Sequence, residues 1–339
     1  MVRPVLLAFL LTPAVLWSQS EKDLVKARRA LDDGKAYKAV RACDKALRKE
    51  NAPLVFHALR ADALNRIGEW ERALADARIA SGSDVPLEKG AGLREAGEAW
   101  HALGNNDSAL FLLRSAVQVQ DDPEAFYQLA LVEAATGDET SALDHQEQAL
   151  RLRPSLVKAL RERGTLRMLL GDTAAGMADL ERSVELDPKD PVNWNSRGYG
   201  HAMLGHHQRA IADYDKAIKL NPNYGYAFNN RGYSRLKLGD REGAMKDVRL
   251  AGRKNPGNPY VYRNMGLIAL DAGDTDAACR NFRQALEQGF SARHGNEVEE
   301  LMRTHCGVKE MPKPVERDAP PPEPKERNAP GAPARHNAP

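Results

Sequence analysis

The sequence has little net charge, few aromatic side chains and no long apolar run beyond its first twenty residues. Phe, Trp and Tyr together account for 6% of the 339 residues, and the apolar set is dominated by Ala and Leu. This composition is typical of a helical protein with small residues at its helix contacts. The formal net charge is +2. Because general nucleic-acid binding requires a concentrated basic face, the near-neutral charge argues against nucleic acid as a partner.

The sequence also lacks the motifs that carry catalysis. It contains no CxxC pair, no HExxH, no phosphate-binding glycine loop and no nucleophile elbow. Three histidines cluster at His201, His206 and His207. The last two are adjacent and would point about 100° apart on a helix, so we expect exposed turn residues rather than a metal site. The sequence therefore predicts no enzyme activity, no cofactor, no metal and no small-molecule substrate.

The first twenty residues have the pattern of a secretory signal peptide. Arg3 provides a positive start, Val5 to Trp17 form an apolar stretch of 13 residues, and Ser18 to Ser20 offer small residues for cleavage. A membrane-spanning helix needs about 20 apolar residues. We therefore predict a cleaved signal over 1–20 and a periplasmic or secreted protein. The alternative is an uncleaved leader that anchors the chain in the membrane.

A repeat of about 34 residues runs through the chain. Successive glycines are separated by 33 to 36 residues, and small residues recur seven positions before and five and twelve positions after each glycine. This spacing predicts pairs of helices joined by a tight turn, with the small residues letting the helices approach closely. Asp138, Asp172, Asp240 and Asp274 follow turn glycines and are predicted to cap the next helix. The turn glycines are Gly34, Gly68, Gly104, Gly137, Gly171, Gly205, Gly239 and Gly273.

Two segments show a resemblance to a known family. NWNSRGYGHAMLGHHQRAIADYDKAIKLNP at 193–222 and AFNNRGYSRLKLGDREGAMKDVRLAGRKNP at 227–256 resemble tetratricopeptide repeats, in the style of exported bacterial members. The resemblance covers about residues 21–292 and is weaker in the first three repeats, where residues 81–88 lengthen a linker. It implies an all-α, right-handed α-solenoid of about eight hairpins, with a capping helix over 296–305.

Both the cysteines and the C-terminal segment fit this arrangement. Cys43 occupies a core-facing position and is predicted to be a small buried side chain. Cys279 and Cys306 would meet if the capping helix folds back, and their pattern is similar to that of exported proteins of the family, which implies a disulfide. Residues 307–339 contain nine prolines and no aromatic residue. We expect a disordered tail there, and a repeat array with its cap over 21–306.

The resemblance also implies a binding surface. The first helices of stacked tetratricopeptide hairpins line a groove, and a Tyr- and Asn-rich set falls at these positions in repeats six to eight. We therefore expect a non-catalytic scaffold or adaptor that binds a protein or peptide partner. The alternatives are an accessory subunit of a separate enzyme complex and a scaffold anchored by its leader. The predicted groove residues are Asn195, Tyr199, Tyr226, Asn229, Tyr233, Tyr260 and Arg263.

Overall fold

The computed structural model describes residues 13–290 and 296–307, and within these ranges it contains seventeen helices and no strand. The predicted tail after residue 307 and residues 1–12 of the predicted leader lie outside the described residues. The helices are α1 Pro13–Asp32, α2 Ala36–Leu47, α3 Val55–Arg66, α4 Trp70–Ser81, α5 Pro86–Ala102, α6 Asn106–Val119, α7 Pro123–Thr136, α8 Glu139–Leu152, α9 Val157–Leu169, α10 Thr173–Leu186, α11 Pro191–Met203, α12 His207–Leu220, α13 Gly225–Lys237, α14 Arg241–Lys254, α15 Pro259–Asp271, α16 Thr275–Glu287 and α17 Glu297–Cys306.

The described helices belong to two compact units, with the boundary between Pro154 and Ser155. Unit 1 contains α1 to α8, and unit 2 contains α9 to α17. Each odd-numbered helix from α1 to α15 packs against the even-numbered helix that follows it, forming eight hairpins among the described residues that stack on their neighbours within each unit, and α17 packs against α16. We call these the first and second helices of each hairpin. The predicted all-α helical-repeat solenoid is confirmed.

The turns that join the helices use glycine as the sequence predicts. All eight turn glycines have positive φ, from 69° at Gly34 to 90° at Gly171. Residues with a Cβ rarely adopt this conformation, so the glycine determines where the first helix of each hairpin ends. Each aspartate predicted to be a cap accepts a hydrogen bond from a backbone N–H three residues further on, at 2.8 Å for Asp240 and 3.3 Å for Asp172. Both predictions are confirmed.

Close helix approach explains the small residues before the turns. A Cβ added to Gly198 would lie 2.7 Å from the ring of Tyr214, and one added to Gly266 would lie 2.4 Å from Phe282. These distances are below van der Waals contact, so in these two hairpins the first helix can approach its partner this closely only because the side chain is absent. In the first hairpin Cys43 is fully buried beside Ala27 and Phe56, as predicted. Burial raises the pKa of the Cys43 thiol to about 12.

Some local details differ from the prediction. Helix α4 ends at Ser81 and helix α5 begins at Pro86, so only residues 82–85 of the segment 81–88 form a linker, and the added length lies in a helix of 17 residues. Proline is tolerated at the first helical position because its missing N–H would have no partner there. Helix α1 begins at Pro13, inside the predicted leader. Among the described residues no helix is both long and apolar enough to cross a membrane.

Candidate functional site

The predicted groove residues lie on the first helices α11, α13 and α15 of unit 2, and most of them are buried. Tyr226 and Tyr233 are half-exposed. The other five have between 1% and 7% of their surface exposed: Asn195, Tyr199, Asn229, Tyr260 and Arg263. Contacts between neighbouring first helices, such as those of Asn195 with Asn230 and of Arg263 with Tyr233, accompany this burial. The role of the seven in binding a partner stays a prediction.

Buried amides connect successive hairpins in this region. The Asn230 side-chain amide donates to Oδ1 of Asn195 at 3.1 Å, and that of Asn264 donates to Oδ1 of Asn229 at 3.0 Å. The two pairs have the same sequence separation of 35 residues. Because a buried amide without a partner is costly, each pair favours one register between neighbouring first helices. Sequence analysis missed Asn230 and Asn264, although the repeated separation was visible.

Arg263 joins the last hairpin to α17. Its guanidinium donates to both carboxylate oxygens of Glu297, at 2.5 and 3.1 Å, and to Oδ1 of Asn264 at 2.8 Å. It also lies 4.8 Å from the centre of the Tyr233 ring, within the range of a cation–π contact. Cys279 of α16 and Cys306 of α17 form a disulfide. Helix α17 is thus held by a covalent bond and an ion pair, and its Val298 and Met302 are buried in the core of the last hairpin.

One buried tyrosine in this region has an unsatisfied hydroxyl. Tyr199 is 3% exposed, and its oxygen has no hydrogen-bond partner among the described residues. Burial raises the pKa of Tyr199 above its usual range, so the hydroxyl stays protonated. Nearby, Nδ1 of His207 is also buried without a partner, and its ring contacts Tyr233 edge-on at 6.3 Å. His201 and His207 are half-buried and burial lowers the pKa of both, whereas only His206 is the exposed turn residue that the sequence predicted.

A second set of polar contacts lies inside the hairpins. Arg163, Arg197 and Arg231 each form two hydrogen bonds with an aspartate that follows 16 residues later on the second helix. These aspartates are buried, and a buried carboxylate requires such a partner. Arg60 makes the same pair with Asp76 in unit 1. Sequence analysis did not identify these pairs. Their geometry joins the two helices of a hairpin.

In unit 1 the surface formed by the first helices contains an open cavity. A cavity of about 310 Å³ lies among the first helices α1, α3 and α5 and the residues around Asp122. Ala58 lies ten residues before its turn glycine, the position that Asn195 and Asn229 occupy in unit 2, and Ala91 lies where Tyr226 and Tyr260 do. Small side chains therefore leave space in unit 1 that large side chains fill in unit 2. The lining combines apolar residues with charged ones: Arg28, Val55, Ala58, Leu59, Asp62, Leu87, Glu88, Ala91, Arg94, Gln120, Asp122, Pro123 and Arg153.

The charges around this cavity are held by buried pairs. Arg94 donates to Oε1 of Glu95 at 2.7 and 2.9 Å and also forms an ion pair with Asp122. Glu95 accepts a further hydrogen bond of 3.0 Å from the Asn65 amide. Burial raises the pKa of Glu95, and the guanidinium of Arg94 opposes that shift. Several donors and acceptors are thereby fixed in place around the apolar lining. Among the described residues no group of three possible metal-binding side chains is found.

Comparisons with known proteins agree with this geometry. Residues 101–157 and 193–224 each match a family model described as tetratricopeptide repeat. These matches show tetratricopeptide repeats in these two parts of the chain, where the structure has stacked helical hairpins. No curated protein sequence matches the chain.

Solved structures show the same fold at low sequence identity. The chain is similar to the Cut9–Hcn1 structure of the APC/C, with a TM-score of 0.66 and 17% identity over 87% of this chain and 56% of that one. It therefore spans little more than half of that relative. It is also similar to a tetratricopeptide repeat protein from Parabacteroides merdae, with a TM-score of 0.56 and 18% identity over 85% of this chain and 99% of the other.

Proposed function

We propose that the chain is a non-catalytic scaffold of the cell envelope or secreted space that binds a segment of a partner protein on its first helices. The observation that carries the proposal is the cavity of about 310 Å³ in unit 1. Its volume lies at the lower end of the range for ligand pockets. It therefore fits one or two side chains of a protein segment. Tetratricopeptide repeats generally bind proteins, which supports the same assignment.

Location outside the cytoplasm is part of the proposal. The apolar stretch from Val5 to Trp17 supports export. The disulfide between Cys279 and Cys306 supports an oxidising compartment. Mass spectrometry of the N-terminus of the exported protein tests this part. A mature chain that starts near residue 21 is expected, whereas a retained Met1 at the membrane favours an anchored scaffold.

The binding site is tested by filling the cavity. Ala91→Leu adds apolar volume to the lining of the cavity, and partner binding should fall by about tenfold or more because the anchoring side chain is excluded. Ala135→Leu makes the same change at an exposed position of α7 and is the matched control. Purified protein carrying each change is used to capture partners from envelope extracts, followed by quantitative titration of the captured protein.

The outcomes separate the proposal from its rivals. Loss of capture with Ala91→Leu and retention with Ala135→Leu supports binding in the cavity. Equal capture by both variants would move the binding surface elsewhere, and Tyr226→Ala then tests the half-exposed part of the predicted groove in unit 2. If the unmodified chain captures no protein from any envelope fraction, the scaffold assignment is wrong.

A further inference from the structure

Although the total charge is near neutral, the second helices of the last two hairpins carry a basic surface. Lys246, Arg249 and Arg253 lie on α14, and Arg280 and Arg283 lie on α16. All five side chains are exposed. We call these five residues the outer basic patch.

Helix geometry places the five cations on one face. Residues at i, i+3 and i+7 share a helix face, which groups the three cations of α14. The same three line a single surface depression together with Glu242 and Met245. Arg280 and Arg283 follow Lys246 and Arg249 by 34 residues. They occupy the equivalent positions of the next second helix, so the basic face continues from one hairpin to the next.

Unlike the arginines that join the helices of a hairpin, the cations of the outer basic patch have no hydrogen-bond or ion-pair partner among the described residues. Arg231 and Arg235 both bind Asp247 at 2.6 to 2.7 Å. By contrast, the structure gives no hydrogen bond or ion pair with a described residue to any of the five patch residues. Structural ion pairs thus explain the inner arginines, and the patch cations keep their donors available to another molecule.

At the positions of Lys246 and Arg249, the two preceding hairpins carry no basic residue. Thirty-four residues before Arg249, the equivalent position holds Asp215, and one repeat earlier it holds Glu181. The position of Lys246 is taken by Ala212 and Ala178 in the same two repeats. Since the sign changes between repeats while the fold does not, the repeat architecture does not require these cations.

The size of the outer basic patch and the carboxylates around it indicate the kind of partner. Lys246 and Arg253 are separated by about 10 Å along the helix axis at 1.5 Å per residue. Carboxylates border the patch, with Glu242 and Asp276 near the helix starts and Glu287 on the last turn of α16. A long polyanion would run past these carboxylates and be repelled, whereas two or three acidic side chains fit between them. Met245 is half-buried in the same depression and offers a small apolar contact.

We propose that the outer basic patch binds a short acidic segment of a partner protein. The site is separate from the cavity of unit 1 and does not depend on the proposed function being correct. Carboxylates of the segment would accept hydrogen bonds from the patch guanidinium groups, and an apolar side chain of the segment would contact Met245. Because the charges are exposed, we expect the attraction to weaken as salt rises.

The test measures binding of a defined probe to the full chain. A fluorescein-labelled peptide of Glu and Ala with one Leu is titrated by anisotropy, beside a matched peptide in which Gln replaces Glu. The variant Arg249→Glu with Arg283→Glu reverses two charges of the patch. The control Arg151→Glu with Lys219→Glu makes the same change in net charge at exposed second-helix positions outside it. Circular dichroism establishes that both variants keep the helical fold.

We expect the Glu peptide to bind more tightly than the Gln peptide, and to lose about tenfold or more of its affinity in the patch variant only. Three results would overturn the proposal. The unmodified chain could bind both peptides equally, or both double variants could weaken binding to the same extent, which would indicate general charge attraction. The unmodified chain could also bind duplex DNA or vesicles containing phosphatidylglycerol more tightly than the Glu peptide, and the patch variant could lose that binding. This result would assign the patch to another polyanion.

Discussion

Tyr199 combines a large apolar ring with a hydroxyl that the fold does not satisfy. The ring is buried between first helices, and the hydroxyl has no partner among the described residues. Leaving a buried donor unpaired costs about 1–3 kcal/mol. The buried area of the aromatic ring stabilises the stacked helices, while the unpaired hydroxyl lowers the free energy of unfolding.

Tyr199→Phe should therefore stabilise the protein. The substitution keeps the ring and removes the unpaired oxygen, so the free energy of unfolding should rise by about 1 kcal/mol or more. Urea denaturation monitored by circular dichroism measures the change. Tyr233→Phe, at a half-exposed tyrosine of the next hairpin, is the matched control and should change stability little. A decrease in stability for Tyr199→Phe would show that a water molecule satisfies the hydroxyl.

At the scale of one helix, α17 closes the last hairpin. Its Val298 and Met302 cover the buried side chains of α15 and α16, including Tyr260 and Phe282. A terminal repeat without such a cover would present its apolar face to water. The helix has only ten residues, too few to be stable alone. Its position consequently depends on the packing of Val298 and Met302, on the disulfide and on the contact between Arg263 and Glu297.

Removing the disulfide should loosen this helix and lower stability. Closure of the loop between Cys279 and Cys306 stabilises by about 3 kcal/mol on the chain-entropy account, so Cys306→Ser should reduce the free energy of unfolding by about that amount. Thiol titration of the denatured, unreduced protein should find one free thiol, from Cys43. Three free thiols in exported protein would contradict the pairing. Reductant should have little effect on Cys306→Ser, which provides the control.

The same elements show what the sequence could and could not predict. Turn glycines and aspartate caps follow from local chemistry, since positive φ and a free backbone N–H each favour particular residues. Burial of Asn229 and Arg263 could not be predicted this way, because it depends on the size of side chains from neighbouring hairpins. The cavity near Ala58 and Ala91 has the same origin. Its position follows from small residues on two helices that become neighbours only after stacking.

At the scale of the whole molecule, two units each contain their own buried clusters. Unit 1 includes one around Leu64 and Ala73, and unit 2 includes one around Phe228 and Val248. Stacked repeats interact mainly with their nearest neighbours, so stability is approximately a sum over hairpins and their interfaces. A stretch of several hairpins can then fold without the rest.

We expect residues 21–154 and 155–307, produced separately, to be helical and to unfold cooperatively. Far-ultraviolet circular dichroism during thermal unfolding tests this expectation. A matched control divides unit 2 after Pro222, which separates Asn195 from Asn230 and leaves buried amides without partners. Those fragments should be clearly less stable than the intact unit. Failure of either whole unit to fold would show that its stability depends on the rest of the chain.

The repeated amide pairs have a consequence for how the gene can change. Asn195 with Asn230 and Asn229 with Asn264 have identical separations, so an in-frame loss of 34 codons between the first and the last of them would bring Asn195 to the same separation from Asn264. The new junction would rebuild the same pair, and a duplication would do so in the same way. Recombination between repeats can thus alter the number of hairpins without leaving a buried amide unpaired. The contact between Arg263 and Glu297 still joins the last hairpin to α17.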